Sequence, residues 1–139
     1  MPAAGRNAEL LSSGSLNDRH LDFNAVDRIN RSAIVVRPGQ SFLNWLHRVD
    51  PTSAHLTLDD LRRQPTIYLL PECDSEEQAL EFLREISREI FEEQLNGWYR
   101  VPSVWPSQRD LTTFRMWFEI GFHTTIVDLC DDPVEHDEL

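Results

Sequence analysis

From Asp74 to Asn96 the chain runs without a single glycine or proline, while Ala79, Leu80, Leu83, Ile86, Ile90 and Phe91 recur at helical spacing. That pattern predicts one long amphipathic helix. Asp74 is placed to cap it, with Glu77 at the capping-box position, and Asn96-Gly97 is the expected stop. A helix with one apolar stripe cannot bury it alone, so the remaining chain must supply a surface.

Three apolar runs can do so. Ala33-Ile34-Val35-Val36 stops before Pro38, Ile67-Tyr68-Leu69-Leu70 lies between Pro65 and Pro71, and a longer run extends from Phe122 to Cys130. The first two read as short strands, and their apolar residues at successive positions predict that both sheet faces are at least partly covered. In the third run Asp128 interrupts Ile126, Val127 and Leu129, as in a strand nearing solvent. Further helices fit between these strands. Phe42, Leu43, Trp45, Leu46 and Val49 form a stripe ending before Pro51. Thr57 can cap a short helix with Asp60 three residues on. A last helix is expected after Asp110, burying Leu111, Phe114, Trp117 and Phe118. The order is β-α-α-β-α-α-β, an α+β (or small α/β) domain of three strands and four helices.

The 139 residues have room for that one domain and some tail. Residues 1–30 read as a flexible arm, with Ser12, Ser13, Gly14 and Ser15 and only a weak helical turn around Phe23, Val26 and Ile29. Residues 31–132 hold the domain, and 133–139 form an acidic tail. Cys73 and Cys130, the only cysteines, make no disulfide framework and suit a reducing cytoplasm. The N-terminus lacks an apolar run fit for a signal peptide, and no stretch has the roughly 20 apolar residues of a membrane span. The closing His136-Asp137-Glu138-Leu139 spells an endoplasmic-reticulum address, read here as a coincidence of the acidic tail. A cytoplasmic location is expected.

All 13 basic residues are arginine, against 24 acidic ones, for a net charge of −11. Without lysine there is no phosphate-loop lysine and no Schiff base, and the few glycines spell no dinucleotide fingerprint. The segment Asp74–Asn96 carries a net −6, and Asp128–Leu139 another −6. Such surfaces repel phosphates, so direct nucleic-acid binding is not expected. They suit a partner protein with a basic surface, steered by charge.

The most unusual segment is Gly97-Trp98-Tyr99-Arg100-Val101-Pro102-Ser103-Val104-Trp105-Pro106-Ser107. Tryptophan, tyrosine and arginine dominate interface energetics, and connections this long between helices are usually functional or disordered. Trp98, Tyr99, Arg100 and Trp105 are therefore the candidate binding residues. Within that loop Trp98, following the helix-ending Gly97, is expected to fold back into the core, and Trp105 to stand free at mid-loop.

A chemical site is a weaker reading. Were the second and third strands parallel neighbours, Glu72, Cys73 and Asp74 would meet Asp128, Cys130, Asp131 and Asp132 at one sheet edge. Zinc spacing is nonetheless absent, and His47, His55 and His123 are scattered. No nucleophile elbow exists. No catalytic residue, metal ligand or cofactor is assigned, and the expected activity is a non-enzymatic protein-interaction module. The alternatives are an inhibitor or immunity-type protein masking a basic partner, and a small enzyme or metal-binding protein using those strand-end carboxylates and thiols.

Three stretches, Arg37-Pro38-Gly39-Gln40-Ser41-Phe42-Leu43-Asn44-Trp45-Leu46, Pro65-Thr66-Ile67-Tyr68-Leu69-Leu70-Pro71-Glu72 and Gly97-Trp98-Tyr99 with Trp105-Pro106, resemble a small bacterial family of hypothetical proteins. The resemblance spans roughly residues 32–132. It implies a bacterial cytoplasmic protein, which the all-arginine basic set of a GC-rich genome suits, and it transfers no catalytic or binding residue.

Overall fold

A computed structural model describes residues 27–137. The predicted weak turn at Phe23 and Val26 lies outside these residues. The described chain divides into two units. Residues 27–30 and 125–137 belong to one, and Arg31–Thr124 to the other.

The first unit contains a two-residue ladder. Strand β1 (Asp27–Arg28) pairs antiparallel with β5 (Val127–Asp128), and Ile29 adds an N–H to the Ile126 carbonyl at 2.9 Å.

The second unit is built on three strands, β2 (Arg31–Pro38), β3 (Thr66–Pro71) and β4 (Phe118–His123), in the order β3-β2-β4. Both outer strands run antiparallel to β2. Between β2 and β3 lie α1 (Gln40–Val49) and the short α2 (Leu58–Arg62). Between β3 and β4 lie α3 (Glu76–Trp98) and α4 (Leu111–Trp117). The fold is thus α+β, with four helices and five strands among the described residues.

Alternation along the strands separates the two sheet faces. Ile34 and Val36 of β2, Leu70 of β3 and Phe118 of β4 enter the core, where α1 adds Phe42, Trp45 and Leu46 and α3 adds Leu83, Phe91 and Leu95. Aromatic rings fill the centre. Phe91 stands edge-on to Phe118 at 5.3 Å, and Phe42 meets Trp45 at 5.3 Å. Such pairs each add about 0.5–1.5 kcal/mol beyond the area they bury.

The opposite face is not fully covered. Ala33 is buried and Val35 half-buried, but their register partners Leu69 and Ile67 on β3 are 55% and 62% exposed. The expected partial cover of both faces is present at β2 and thin at β3. A central strand is shielded by neighbours on either side, whereas an edge strand is not.

Three local boundaries also differ from expectation. Helix α3 is capped by Ser75, whose Oγ accepts the Gln78 N–H, while the Asp74 N–H donates to Gln78 Oε1 at 2.7 Å. Ser75-x-x-Gln78 and Asp74-x-x-Glu77 carry overlapping versions of the same capping signature, and the serine prevails. At its other end α3 passes through Gly97 to Trp98 and stops at an extended Tyr99. Tyr99 is extended (φ −154°), and Pro102 holds Val101 out of helical geometry as well (φ −117°).

The largest difference is the third strand. It begins at Phe118, directly after α4, and ends at His123, while residues 127–128 pair elsewhere. Phe118 fits two periods at once, the helical one of Phe114 and Trp117 and the alternating one of Ile120 and Phe122. Pairing with β2 decides between them. At this junction the Gly39 N–H donates to the Trp117 carbonyl at 2.7 Å, and a Cβ on Gly39 would lie 3.0 Å from that oxygen. Glycine is needed here for close backbone approach.

Candidate functional site

The segment leaving α3 is fastened to the domain by side chains that use their polar atoms on its backbone. Tyr99 is the C-cap residue, its N–H on the Leu95 carbonyl at 2.9 Å. Its own carbonyl accepts the Trp105 indole N–H at 2.8 Å, closing the loop on itself. Pro102–Val104 makes one 3-10 turn. From α1, the fully buried Trp45 donates its indole N–H to the Val104 carbonyl at 2.8 Å. Arg109 donates to the Pro106 carbonyl and holds Glu92 of α3 at 2.9 Å. Tryptophan seeks a partner for its N–H when buried, and here both indoles find loop carbonyls.

The four predicted residues take different positions in this frame. Tyr99 and Trp105 are half-buried and pack on the core. Arg100 is exposed, and Trp98 retains 37% of its surface in solvent. The expected roles of the two tryptophans are therefore reversed. Trp98 has the helical phase of Phe91 and Leu95, but it is the last residue of α3, beyond the packed length of the helix. Trp105 has no helix to hold it, yet its ring is fixed by the hydrogen bond to Tyr99. Val101 and Val104 join Trp98 in solvent at 43% and 39% exposure. No local sequence signal marks these valines as exposed. Their outward side chains follow from the 3-10 turn and from the Trp45 bond.

A row of acidic side chains runs along α3, the helix that leads into this segment. Glu77, Glu81, Glu85, Glu89 and Glu93 follow one another at four-residue spacing on α3, and all are exposed. Glu81 lies 3.7 Å from Arg84. Like charges at this spacing cost a helix a few tenths of a kcal/mol per pair, about 0.2–0.5. Near the end of the row Glu93 accepts a short hydrogen bond from Tyr68 of β3, and Gln94 donates to the same hydroxyl at 2.9 Å and to Thr66 Oγ1 at 3.1 Å. Burial raises the Tyr68 hydroxyl above its ordinary pKa of 10.0, and the Glu93 carboxylate raises it further.

The strand-end thiols and carboxylates do not follow two neighbouring strands of one sheet. β3 and β4 are separated by β2, and Asp128 lies on β5 in the other sheet. Cys73 is buried, its backbone N–H on Ser32 Oγ at 2.9 Å and its thiol on the Pro71 carbonyl. Cys130 is exposed and belongs to the other unit. Among the described residues no group of three His, Cys, Asp or Glu side chains is placed to hold a metal ion. His47 hydrogen-bonds the Leu56 carbonyl at 3.0 Å, and His123 lies over Gly121 at the end of β4.

A cavity of about 140 Å³ lies between α3 and β4, lined by Leu80, Leu83, Ile120 and Phe122, with Glu76 and Arg115 its charged residues. It offers apolar burial without a nucleophile.

No protein-family model, curated protein or solved structure matches the chain. Among the described residues no helix is long and apolar enough to cross a membrane.

Proposed function

We propose that this chain is a non-catalytic protein-interaction module of the cytoplasm, and that the segment from Trp98 to Trp105 is its contact surface. One observation carries the reading. Trp98, Val101 and Val104 are held in solvent by a loop whose backbone is tied down through Trp45, Trp105 and Arg109. Apolar side chains on a rigid frame lose little entropy on binding, which is how a contact surface gains affinity. Arg100 adds a guanidinium at the same place, of the residue type enriched at interface centres.

The acidic row on α3 selects the partner. A protein with a basic surface is attracted over a distance and docks faster, and the association weakens with salt. Nucleic acid carries the wrong sign.

The test is site-specific photo-crosslinking from position 101 in the full chain expressed in cells, with position 116 of α4 as control, since Met116 is 69% exposed but outside the loop. A protein captured from position 101 and not from 116, whose purified form binds the chain and binds Trp98→Ala more weakly, supports the reading. Equal capture from both positions, or unchanged affinity for the variant, refutes it.

A further inference from the structure

We propose that the free edge of β3 is a strand-addition site for an extended partner segment in which apolar and basic side chains alternate. The site stands apart from the Trp98–Trp105 loop and does not depend on it.

Among the described residues β3 pairs only with β2, so one side of its backbone carries open N–H and C=O groups. Proteins usually blunt such edges with charged side chains, prolines or bulges. The other edge strand follows this rule, because β4 places Glu119 and His123 on its outward face, both exposed. β3 does so only at its last residue, Pro71. Its sequence Thr66-Ile67-Tyr68-Leu69-Leu70-Pro71 has no charged residue, and Ile67 and Leu69 stand two apart on its outer face at 62% and 55% exposure. The register sets them beside Val35 and Ala33, so the apolar lane continues onto the central strand.

The two sides of this edge differ in charge, and that difference defines the occupant. On the inner side Tyr68 reaches α3, where it hydrogen-bonds Glu93 and Gln94. Glu89 lies one helical turn before Glu93 on the same side. No ion pair reaches either glutamate among the described residues. A strand added to β3 directs successive side chains to opposite faces. One set would lie along Ile67 and Leu69 and must be apolar. The other set would point towards Glu89 and Glu93 and must be basic. A second copy of this chain fits poorly, since pairing β3 with β3 would bring two acidic α3 helices together. Main-chain hydrogen bonds supply affinity in such additions, and alternate side chains supply specificity.

The probe is a short end-blocked peptide alternating arginine with valine, compared with a peptide of the same composition in block order and with one alternating glutamate with valine. Binding is followed by backbone amide shifts and hydrogen exchange of the full chain, with sedimentation as a check on assembly. Expected are slowed exchange confined to β3, binding that weakens with salt, and binding by the alternating basic peptide alone. Leu69→Arg, an exposed substitution that leaves the core untouched, abolishes it. Glu89→Gln weakens it about two- to fivefold, the range for one exposed charge pair. Equal binding of the block peptide, protection outside β3, or peptide-independent dimerisation with protected β3 overturns the proposal.

Discussion

The indole N–H of Trp45 donates to the main-chain carbonyl of Val104, 59 residues later, at 2.8 Å. Trp45 is wholly buried, yet its one polar atom reaches the outer loop and turns core packing into loop rigidity. Trp45→Phe keeps most of the ring and removes the donor. The expected loss is about 1–3 kcal/mol, combining the missing bond with a small void. Hydrogen exchange in residues 98–106 should rise well beyond the global change. Uniform acceleration across the domain would show that the bond does not secure the loop.

Trp98 and Trp105 should separate in stability in the order opposite to that expected from the sequence. Trp105→Ala removes a ring packed on the core and should cost about 2–4 kcal/mol, near the range for truncating buried aromatics. Trp98→Ala removes a partly solvated ring and should cost about 1–2 kcal/mol. Urea unfolding of both variants, read by far-ultraviolet circular dichroism, gives the order.

Asp110 caps α4, and Asp60 completes the capping box of α2 with Thr57. Backbone hydrogen bonds from Thr113 and Thr57 lower their respective pKa values below the ordinary 3.8. A carboxylate with a lowered folded-state pKa stabilises the fold above its unfolded pKa, and that contribution fades as pH falls through the folded value. Melting temperature should therefore decline below about pH 4, where unfolded carboxylates begin to take up protons. Asp110→Asn still accepts the capping bond but does not titrate, so its decline should be shallower than that of wild type. Identical acid limbs would remove Asp110 from the account.

Tyr68 governs the alkaline side. Its raised pKa means that the folded state holds the hydroxyl proton longer than the unfolded chain does, so its contribution is complete below pH 10.0 and is lost progressively above it. In a tyrosinate absorbance titration, Tyr68→Phe should remove a late-ionising component. Glu93→Gln should move that component to lower pH, because the neutral amide no longer disfavours the phenolate.

Much of the architecture follows from short-range rules that a single sequence carries. Prolines 38, 65 and 71 bound the first two sheet strands, and Thr57 with Asp60 starts α2 by bonding its own next turn. The apolar stripe of α3 names Leu83, Ile90 and Phe91 as core before any partner is known. Each of these depends on residues within a few positions of one another, where steric restriction, capping and periodicity act.

Tertiary structure decided what local rules leave degenerate. Phe118 satisfies a helical and an alternating pattern equally, and only the β2 ladder, with Phe118 opposite Pro38, turns the chain into a strand there. The sheet order β3-β2-β4 puts β2 between β3 and β4 and leaves β3 at an edge, so apolar Ile67 and Leu69 face water. Whether Trp98 or Trp105 is covered depends on where α3 outruns its neighbours and on the bond from Trp105 to the Tyr99 carbonyl. Burial is a property of what lies across from a residue, and what lies across is set by contacts between segments far apart in the chain.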